Sequence, residues 1–319
     1  MAEKVKSIEE YKSDFAPRAK EVLSNFQEVL LNRLEEIKNA KPEDHSELVK
    51  AKIERDGVSY SALKRFRESP LSYIEYLTTS FQQTPAMMLG DIVDILVTQP
   101  KQFEKKFFIM PEEVSRRSNE GKGLFAAYEE LAEGKTVVSN EMFETAVKMA
   151  ESLLKNSDSK YYLERTTKFQ KWVKFKHRET GLKVRGIVDG ESEEEPKDFN
   201  HFVIDLKTAR SADPDNYSRD AFKLWYNGQF GAYGMAYRYK WQFPEFIHVV
   251  VESSPPYNVN VFRVDPETMK EAQEEVHNTL MAFKYCYDNN LWHKSFNFLR
   301  DDVLRYDALK KPGYYRPKF

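Results

Sequence analysis

Apolar positions recur with a helical period through the first half of the chain and change to strand-like alternation near residue 171. Over residues 18–39, Val22, Phe26, Leu30 and Leu34 follow one another at i+4, with Leu23 and Ile37 widening the stripe, which predicts an amphipathic helix. Lys41-Pro42-Glu43-Asp44 breaks it, and the polar stretch to Asp56-Gly57 reads as a connector. A short helix is expected over residues 59–66, opened by a serine cap and stopped before Pro70, with a second over 71–77. Residues 85–97 are mostly apolar and predict a buried helix ending before Pro100, and two further helical stretches lie within 123–155.

Residues 171–177 and 182–189, around the turn Glu179-Thr180-Gly181, read as a β-hairpin. An acidic loop, 190–200, leads to the apolar strand 201–207. A helix over 225–239 follows, then strands near 246–252 and 258–264. Asp265-Pro266-Glu267 opens a long helix to about residue 289, and a polar tail closes the chain. No internal repeat interrupts this order. Helices followed by a sheet flanked by helices predict an α/β (α+β) fold in one compact domain with an N-terminal helical extension.

At 319 residues the chain is long enough to bury a proper core. Its 49 basic and 51 acidic residues give a net charge of −2, which excludes a generally basic nucleic-acid coat but not a local basic groove. A single cysteine, Cys286, excludes a disulfide framework, a zinc knuckle and an iron–sulfur cluster. The chain opens without an apolar stretch and contains no long apolar run, so the expectation is a protein of the cytoplasm with no membrane partner.

The strongest constellation is Asp189 with Asp205-Leu206-Lys207. Each carboxylate is expected to end an apolar strand, and antiparallel strands joined by the acidic loop would bring both to one sheet edge. Hard oxygen ligands there suit Mg²⁺ or Mn²⁺. Lys207, two residues beyond Asp205, projects to the same face, placed to orient a water or steady charge developing on phosphorus. The triplet alone is weak: acid-x-Lys recurs at Glu10/Lys12, Glu36/Lys38, Glu104/Lys106 and Glu195/Lys197. A surface ion pair at a strand end is the plain alternative. In the next helix, Gln229 and Tyr233 share a face at i and i+4.

Taken in order, Asp189, Asp205-x-Lys207 and Gln229-x-x-x-Tyr233 resemble the PD-(D/E)xK nuclease core of the RecB-like branch. Upstream, Ser59-x-Ser61-x-Leu63, Ser69-Pro70 and Thr84-Pro85-Ala86-Met87-Met88-Leu89-Gly90 are similar to the exonuclease VIII (RecE-like) nucleases of phages and prophages. So are Trp225-Tyr226, Glu252-Ser253-Ser254-Pro255-Pro256-Tyr257 and Cys286 with Trp292 downstream.

The resemblance implies a restriction-endonuclease-like core with a mixed central sheet over residues 58–295, a helical extension over 1–57 and a tail over 296–319. It implies a Mg²⁺-dependent DNA exonuclease, with Mn²⁺ able to substitute, that resects linear double-stranded ends 5′ to 3′ for recombination by annealing. Partners would be duplex ends, a single-strand annealing protein and further copies in a ring, within a bacterial or phage-infected cell. Asp189, Asp205 and the Leu206 carbonyl would hold metal, and Lys207, Gln229 and Tyr233 would complete the catalytic set. Where the family often has a metal-binding histidine this chain has Asp94, with Asp91 close by; carboxylate for imidazole hardens the site toward Mg²⁺. Ser61, Lys64 and Arg65 are candidates to hold the DNA backbone. The rival readings are a related RecB-like nuclease of other polarity or endonuclease activity, and a nuclease-like fold that only binds DNA or a partner.

Elsewhere the expectations are plainer. His177, His201 and His248 read as packed or solvated strand residues, with no histidine pair at metal spacing. Cys286 reads as a core thiol, and Glu191, Glu193, Glu194 and Glu195 as a solvated loop face.

Overall fold

Side-chain caps mark where many helices of this chain begin. Ser59 Oγ accepts the Ala62 N–H at 3.2 Å, Ser69 Oγ that of Ser72 at 3.0 Å, and Thr84 Oγ1 that of Met87 at 3.3 Å. Asp265 Oδ1 accepts the N–H groups of Glu267 and Thr268, both at 3.0 Å. The last three caps are followed by proline, whose fixed φ suits a first helical turn. Each cap contributes about 1 kcal/mol to its helix.

The computed structural model describes residues 8–39, 44–110, 117–192, 201–238 and 243–298. The chain divides into two compact units, 1–44 and 45–319. Within the first, α1 (Ile8–Asn39) is the amphipathic helix the sequence predicts, begun ten residues earlier and carrying Pro17. Val22, Leu23, Phe26, Leu30 and Leu34 are exposed along it.

The second unit runs α2 (Ser46–Asp56), β1 (Val58–Ser59), α3 (Tyr60–Glu68), α4 (Pro70–Thr78), α5 (Pro85–Thr98), α6 (Phe103–Lys106), β2 (Phe107–Ile109), α7 (Asn119–Leu131), β3 (Thr136–Val138), α8 (Asn140–Lys155) and α9 (Ser157–Arg165). Then come β4 (Lys168–Lys176), β5 (Lys183–Glu191), β6 (Phe202–Ala209), α10 (Pro214–Lys223), α11 (Tyr226–Tyr237), β7 (Glu245–Glu252), β8 (Val259–Arg263) and α12 (Pro266–Asp288). Among the described residues no helix is long and apolar enough to cross a membrane.

The main sheet is mixed: β1-β5-β6-β7-β8 in order, with β4 also paired to β5. β5–β6, β4–β5 and β7–β8 are antiparallel, while β1–β5 and β6–β7 are parallel. Side chains of β6 alternate between two layers. Phe202 and Ile204 join Ile92, Met149 and Leu153 from α5 and α8, whereas Val203 joins Phe230 and Tyr233 from α11. A third cluster places Phe66, Tyr73, Phe283, Cys286 and Trp292 together. Helices on both faces of a mixed sheet are the expected fold class.

Three stretches differ from expectation. Residues 46–56 form a helix rather than a connector, because Val49 and Ile53, one turn apart, bury against the core while the polar majority masks them. α10 was hidden by the same polarity, although Asp213-Pro214 starts it as Asp265-Pro266 starts α12. β1, β2 and β3, at two or three residues each, are too short to show alternation. The predicted tail beyond residue 298, the break at 41–43, Glu193, Glu194 and Glu195 lie outside the described residues.

Candidate active site

The β5–β6 ladder stops short of the two acids. Its last pairs are Glu191 with Val203 and Gly190 with Ile204, so Asp189 and Asp205 occupy the next opposed positions, where the strands part. β6 runs on beside β7 as far as the pair Ala209 and Glu252. The Leu206 N–H, left without a strand partner on the β5 side, donates to Asp189 Oδ2 at 2.8 Å. Sequence reasoning expected each acid to end its strand. Both strands continue past their acids: β5 runs on to Glu191 between β4 and β6, and β6 runs on to Ala209 beside β7 alone.

Asp205 is buried, at 1% exposure. Its Oδ1 accepts from Gln229 Nε2 at 2.9 Å, and its Oδ2 lies 2.6 Å from Lys207 Nζ as an ion pair, with no donor aligned on it for a hydrogen bond. Lys207 therefore shares the face of Asp205, as strand periodicity predicts, and it donates to Gln229 Oε1 at 3.2 Å. Burial opposes the charge on Lys207, but Asp205 and Asp189 outweigh it and raise its pKa. Gln229 also donates to Tyr233 Oη at 3.0 Å, and that hydroxyl donates to the Ile187 carbonyl at 2.5 Å. Tyr233 thus holds Gln229 and reaches neither acid directly. Its ring lies over Gly186, where a Cβ would come within 2.4 Å of it.

Asp94 arrives from α5. That helix crosses β6 closely at Gly90, where an added Cβ would stand 3.2 Å from Thr208 Oγ1. Asp94 follows one turn later, half-buried, and its Oδ2 accepts from Gln170 Nε2 at 3.0 Å. Burial pushes its pKa up to about 6, with the charges of Asp91 and Asp205 acting in the same direction. Asp189 is pushed well above the ordinary carboxylate range by burial, then by Asp205 and Asp94. Asp91 is exposed and takes a hydrogen bond from Gln83 at 2.6 Å, so of the two α5 acids Asp94 is the one turned to the site.

Gln170 was missed by sequence reasoning. It falls between Phe169 and Lys171, at the position where the β4–β5 pairing skips Asp189, with a left-handed φ of 51°, and its amide reaches Asp94. No local pattern announces that turn. Tyr226 was named only as part of a motif, yet its ring lies 4.9 Å from Lys207 Nζ and 5.9 Å from Lys64 Nζ.

The proposed DNA-holding residues separate. Ser61 and Arg65 are exposed on α3, and Arg65 pairs with Glu68 at 3.3 Å. Lys64 lies toward the site, its pKa lowered by burial and by the charges of Arg65 and Lys207. A cleft of about 470 Å³ opens beside Asp94, lined by Gln83, Lys105, Lys106, Lys135 and Gln170 among others.

Glu191 is a correction: instead of facing solvent it is fully buried at the end of β5. Lys171 Nζ lies 2.7 Å from it, His201 Nε2 2.8 Å, and Tyr237 donates to it. Burial would raise its pKa, but these hydrogen bonds prevail and hold it at about 2. Tyr217 hydrogen-bonds His248 Nδ1, and Cys286 is a core thiol pushed up to about 12 by burial.

Asp94, Asp189 and Asp205 lie close enough for their charges to interact, although their oxygens are not all within 4.8 Å of one another. Asp94 and Asp189, both with raised pKa, and Asp205, paired with Lys207, set three carboxyls against one lysine, a group of hard ligands short of positive charge. The chemistry of that donor set suits a divalent ion of the Mg²⁺ type, which would draw the three carboxylates closer together.

A family model described as the PDDEXK-like domain of unknown function (DUF3799) matches residues 59–296. No curated protein sequence matches the chain. One similar crystal structure is that of a candidate exonuclease from Eubacterium rectale, 13% identical, covering 85% of this chain and 92% of that one at a TM-score of 0.49. Another, of the protein SSO0001, is 13% identical and covers 69% and 84% of the two chains at a TM-score of 0.25. PDDEXK nucleases generally use divalent metals, in keeping with the acids gathered here. The family match spans most of the chain, including Asp94, Asp189, Asp205, Lys207 and Gln229, and the protein belongs to the PDDEXK-like family of nuclease-type domains.

Proposed function

We propose that this protein is a metal-dependent DNA exonuclease that degrades linear duplex from its 5′ ends and leaves single strand for recombination by annealing. The observation that carries the reading is the opposed pair Asp189 and Asp205 at the opened ladder, with Lys207 on Asp205 and Gln229 bridging both. A protein that only bound DNA would have no need to bury carboxylates against one another, which is unfavourable without a cation.

Asp94, Asp189, Asp205 and the Leu206 carbonyl would hold Mg²⁺, with Mn²⁺ able to replace it. When bound, the ion supplies a more acidic water and neutralises charge on the scissile phosphate. Lys207 steadies the charge that develops on phosphorus, and Gln229 fixes the lysine and Asp205 relative to each other. Tyr233 positions Gln229. Lys64, with Ser61 and Arg65 on the same helix, engages the DNA backbone, and the cleft lysines Lys105, Lys106 and Lys135 offer a second run of phosphate contacts. A ring of copies would keep the enzyme on its strand, and an annealing protein would take the single strand it exposes, in the cytoplasm of a bacterial or phage-infected cell.

Linear duplex labelled at the 5′ or 3′ end, incubated with Mg²⁺ beside closed circular DNA, tests reaction and direction together. Early release of 5′ label with circular DNA intact is the expected result. Nicking of the circle would replace exonuclease with endonuclease, and early release of 3′ label would reverse the polarity.

A further inference from the structure

Away from the acids, the turn of the β4–β5 hairpin meets α12. His177 follows β4 directly and is buried, Glu179 is exposed on the turn, and His277 lies on α12, a hundred positions from His177. His177 Nε2 is 3.0 Å from His277 Nδ1 and 3.3 Å from a Glu179 carboxylate oxygen. Among the described residues this is the group of three histidine, cysteine or acidic side chains whose ligand atoms all lie within 4.8 Å of one another. The sequence showed no histidine pair at metal spacing because the two rings come from distant elements.

We propose that His177, Glu179 and His277 form a second cation site, selective for a zinc-like ion, that staples the β4–β5 hairpin to α12. Bonds of about 2.0–2.1 Å from a tetrahedral ion put its ligand atoms roughly 3.3 Å apart, and the two distances to His177 Nε2 lie near that value. The His177 ring is oriented as a ligand needs. Its Nδ1 meets Thr180 Oγ1 at 2.9 Å, and the same oxygen accepts the Leu182 N–H at 3.3 Å. With the hydroxyl oxygen accepting from Nδ1–H as well, the lone pair sits on Nε2, facing His277 and Glu179.

The turn that carries these groups is itself fixed. His177 N–H donates to the Leu182 carbonyl at 2.8 Å, Gly181 N–H to the His177 carbonyl at 2.9 Å, and Gly181 takes a φ of 70°. Glu179, exposed, leaves a path for the ion and room for water as a fourth ligand. Two imidazoles and one carboxylate favour Zn²⁺, Co²⁺ or Ni²⁺ over Mg²⁺, so the site differs in kind from the all-oxygen cluster around Asp189.

The test uses the full chain stripped with chelator and titrated with Co²⁺, whose visible bands report tetrahedral geometry, and with Zn²⁺ in thermal melts. One equivalent of Co²⁺ should give tetrahedral bands that Zn²⁺ abolishes and excess Mg²⁺ does not. The bands should persist in the double variant Asp189→Asn, Asp205→Asn, and Zn²⁺ should raise the Tm. His277→Gln should abolish both responses, and the surface change Glu179→Gln, which leaves the core untouched, should weaken Co²⁺ binding at least about tenfold. Absence of tetrahedral bands, or bands unchanged in Glu179→Gln, would overturn the site and leave a plain hydrogen bond between the rings. Because neither readout involves cleavage, the result stands apart from the nuclease reading.

Discussion

Asp189 and Asp205 face each other at the first positions beyond the β5–β6 ladder, and the Leu206 amide closes on Asp189 at 2.8 Å. A side chain has taken the place of a strand partner, and this holds the gap open. Asp189→Asn keeps an oxygen for that amide, and Asp205→Asn one for Gln229, so both variants should fold. Each should cut cleavage of linear duplex by a factor of at least about 10²–10³. In chelator, Asp189→Asn should melt higher than wild type, since ionising Asp189 in the folded protein is opposed by burial and by Asp205. Cleavage near the wild-type rate by either variant would remove these acids from the reaction.

Lys207→Ala separates binding from chemistry. The lysine touches Asp205 and Gln229, and its proposed part belongs to the transition state. Steady-state kinetics should show kcat falling about 10²-fold with KM nearly unchanged. A loss confined to KM would make Lys207 a DNA-holding residue instead.

Asp94 gives a pH signature. Its folded pKa of about 6 is above the ordinary 3.8, so the stability linked to it is fully present below about pH 3.8 and is lost as pH rises through 6. Asp94→Asn should therefore melt higher than wild type at pH 8 in chelator, and the difference should vanish toward pH 4. With metal the order reverses: Asp94→Asn should need more Mg²⁺ for half-maximal cleavage, whereas Asp91→Asn, exposed and bonded to Gln83, should not. Asp94→His should shift preference toward Mn²⁺. Equal Mg²⁺ dependence in Asp94→Asn and wild type would exclude Asp94 as a ligand.

Gln170 pairs backbone strain with a contact at the site. At a φ of 51°, Gln170→Gly should be more stable than Gln170→Ala by about 1 kcal/mol, as chemical denaturation would measure. Both lose the hydrogen bond to Asp94, so both should need about tenfold more metal for half-maximal cleavage. Wild-type metal dependence in both would leave Gln170 a purely structural residue.

Glu191 governs acid stability. Its folded pKa of about 2 lies below the ordinary 4.5, so its contribution is complete above about pH 4.5 and fades as pH falls toward 2. Glu191→Gln should lose about 1–3 kcal/mol at pH 7, with the deficit shrinking below pH 4. A deficit independent of pH would point to packing rather than charge.

Much of the site was legible because its residues obey local periodicities. Strand alternation put Lys207 beside Asp205, and helical spacing put Gln229 beside Tyr233. Asp94 could be preferred to Asp91 only through its place in a motif, and the crossing of α5 over β6 at Gly90 supplies the physical reason. Gln170, the buried charge of Glu191 and the meeting of His177 with His277 carried no such signal. The first depends on one unusual backbone angle, the second on cations and a phenol from elsewhere, the third on two elements far apart in the chain. Among the helices, α2 and α10 were hidden by sparse apolar residues, and α2 also lacks a side-chain cap.

β6 is supported along its whole length by β7, and at its far end by nothing else in the sheet. Asp205 and Lys207 therefore gain their platform only when residues 245–252 have been synthesised and paired. A chain still growing on the ribosome, already through Gln229, carries every acid, the lysine and the glutamine, but Asp205 and Lys207 lie on the part of β6 that no strand yet flanks. Order of synthesis thus imposes a delay: the part of the chain that bears the chemistry is made before the part that sets it in place.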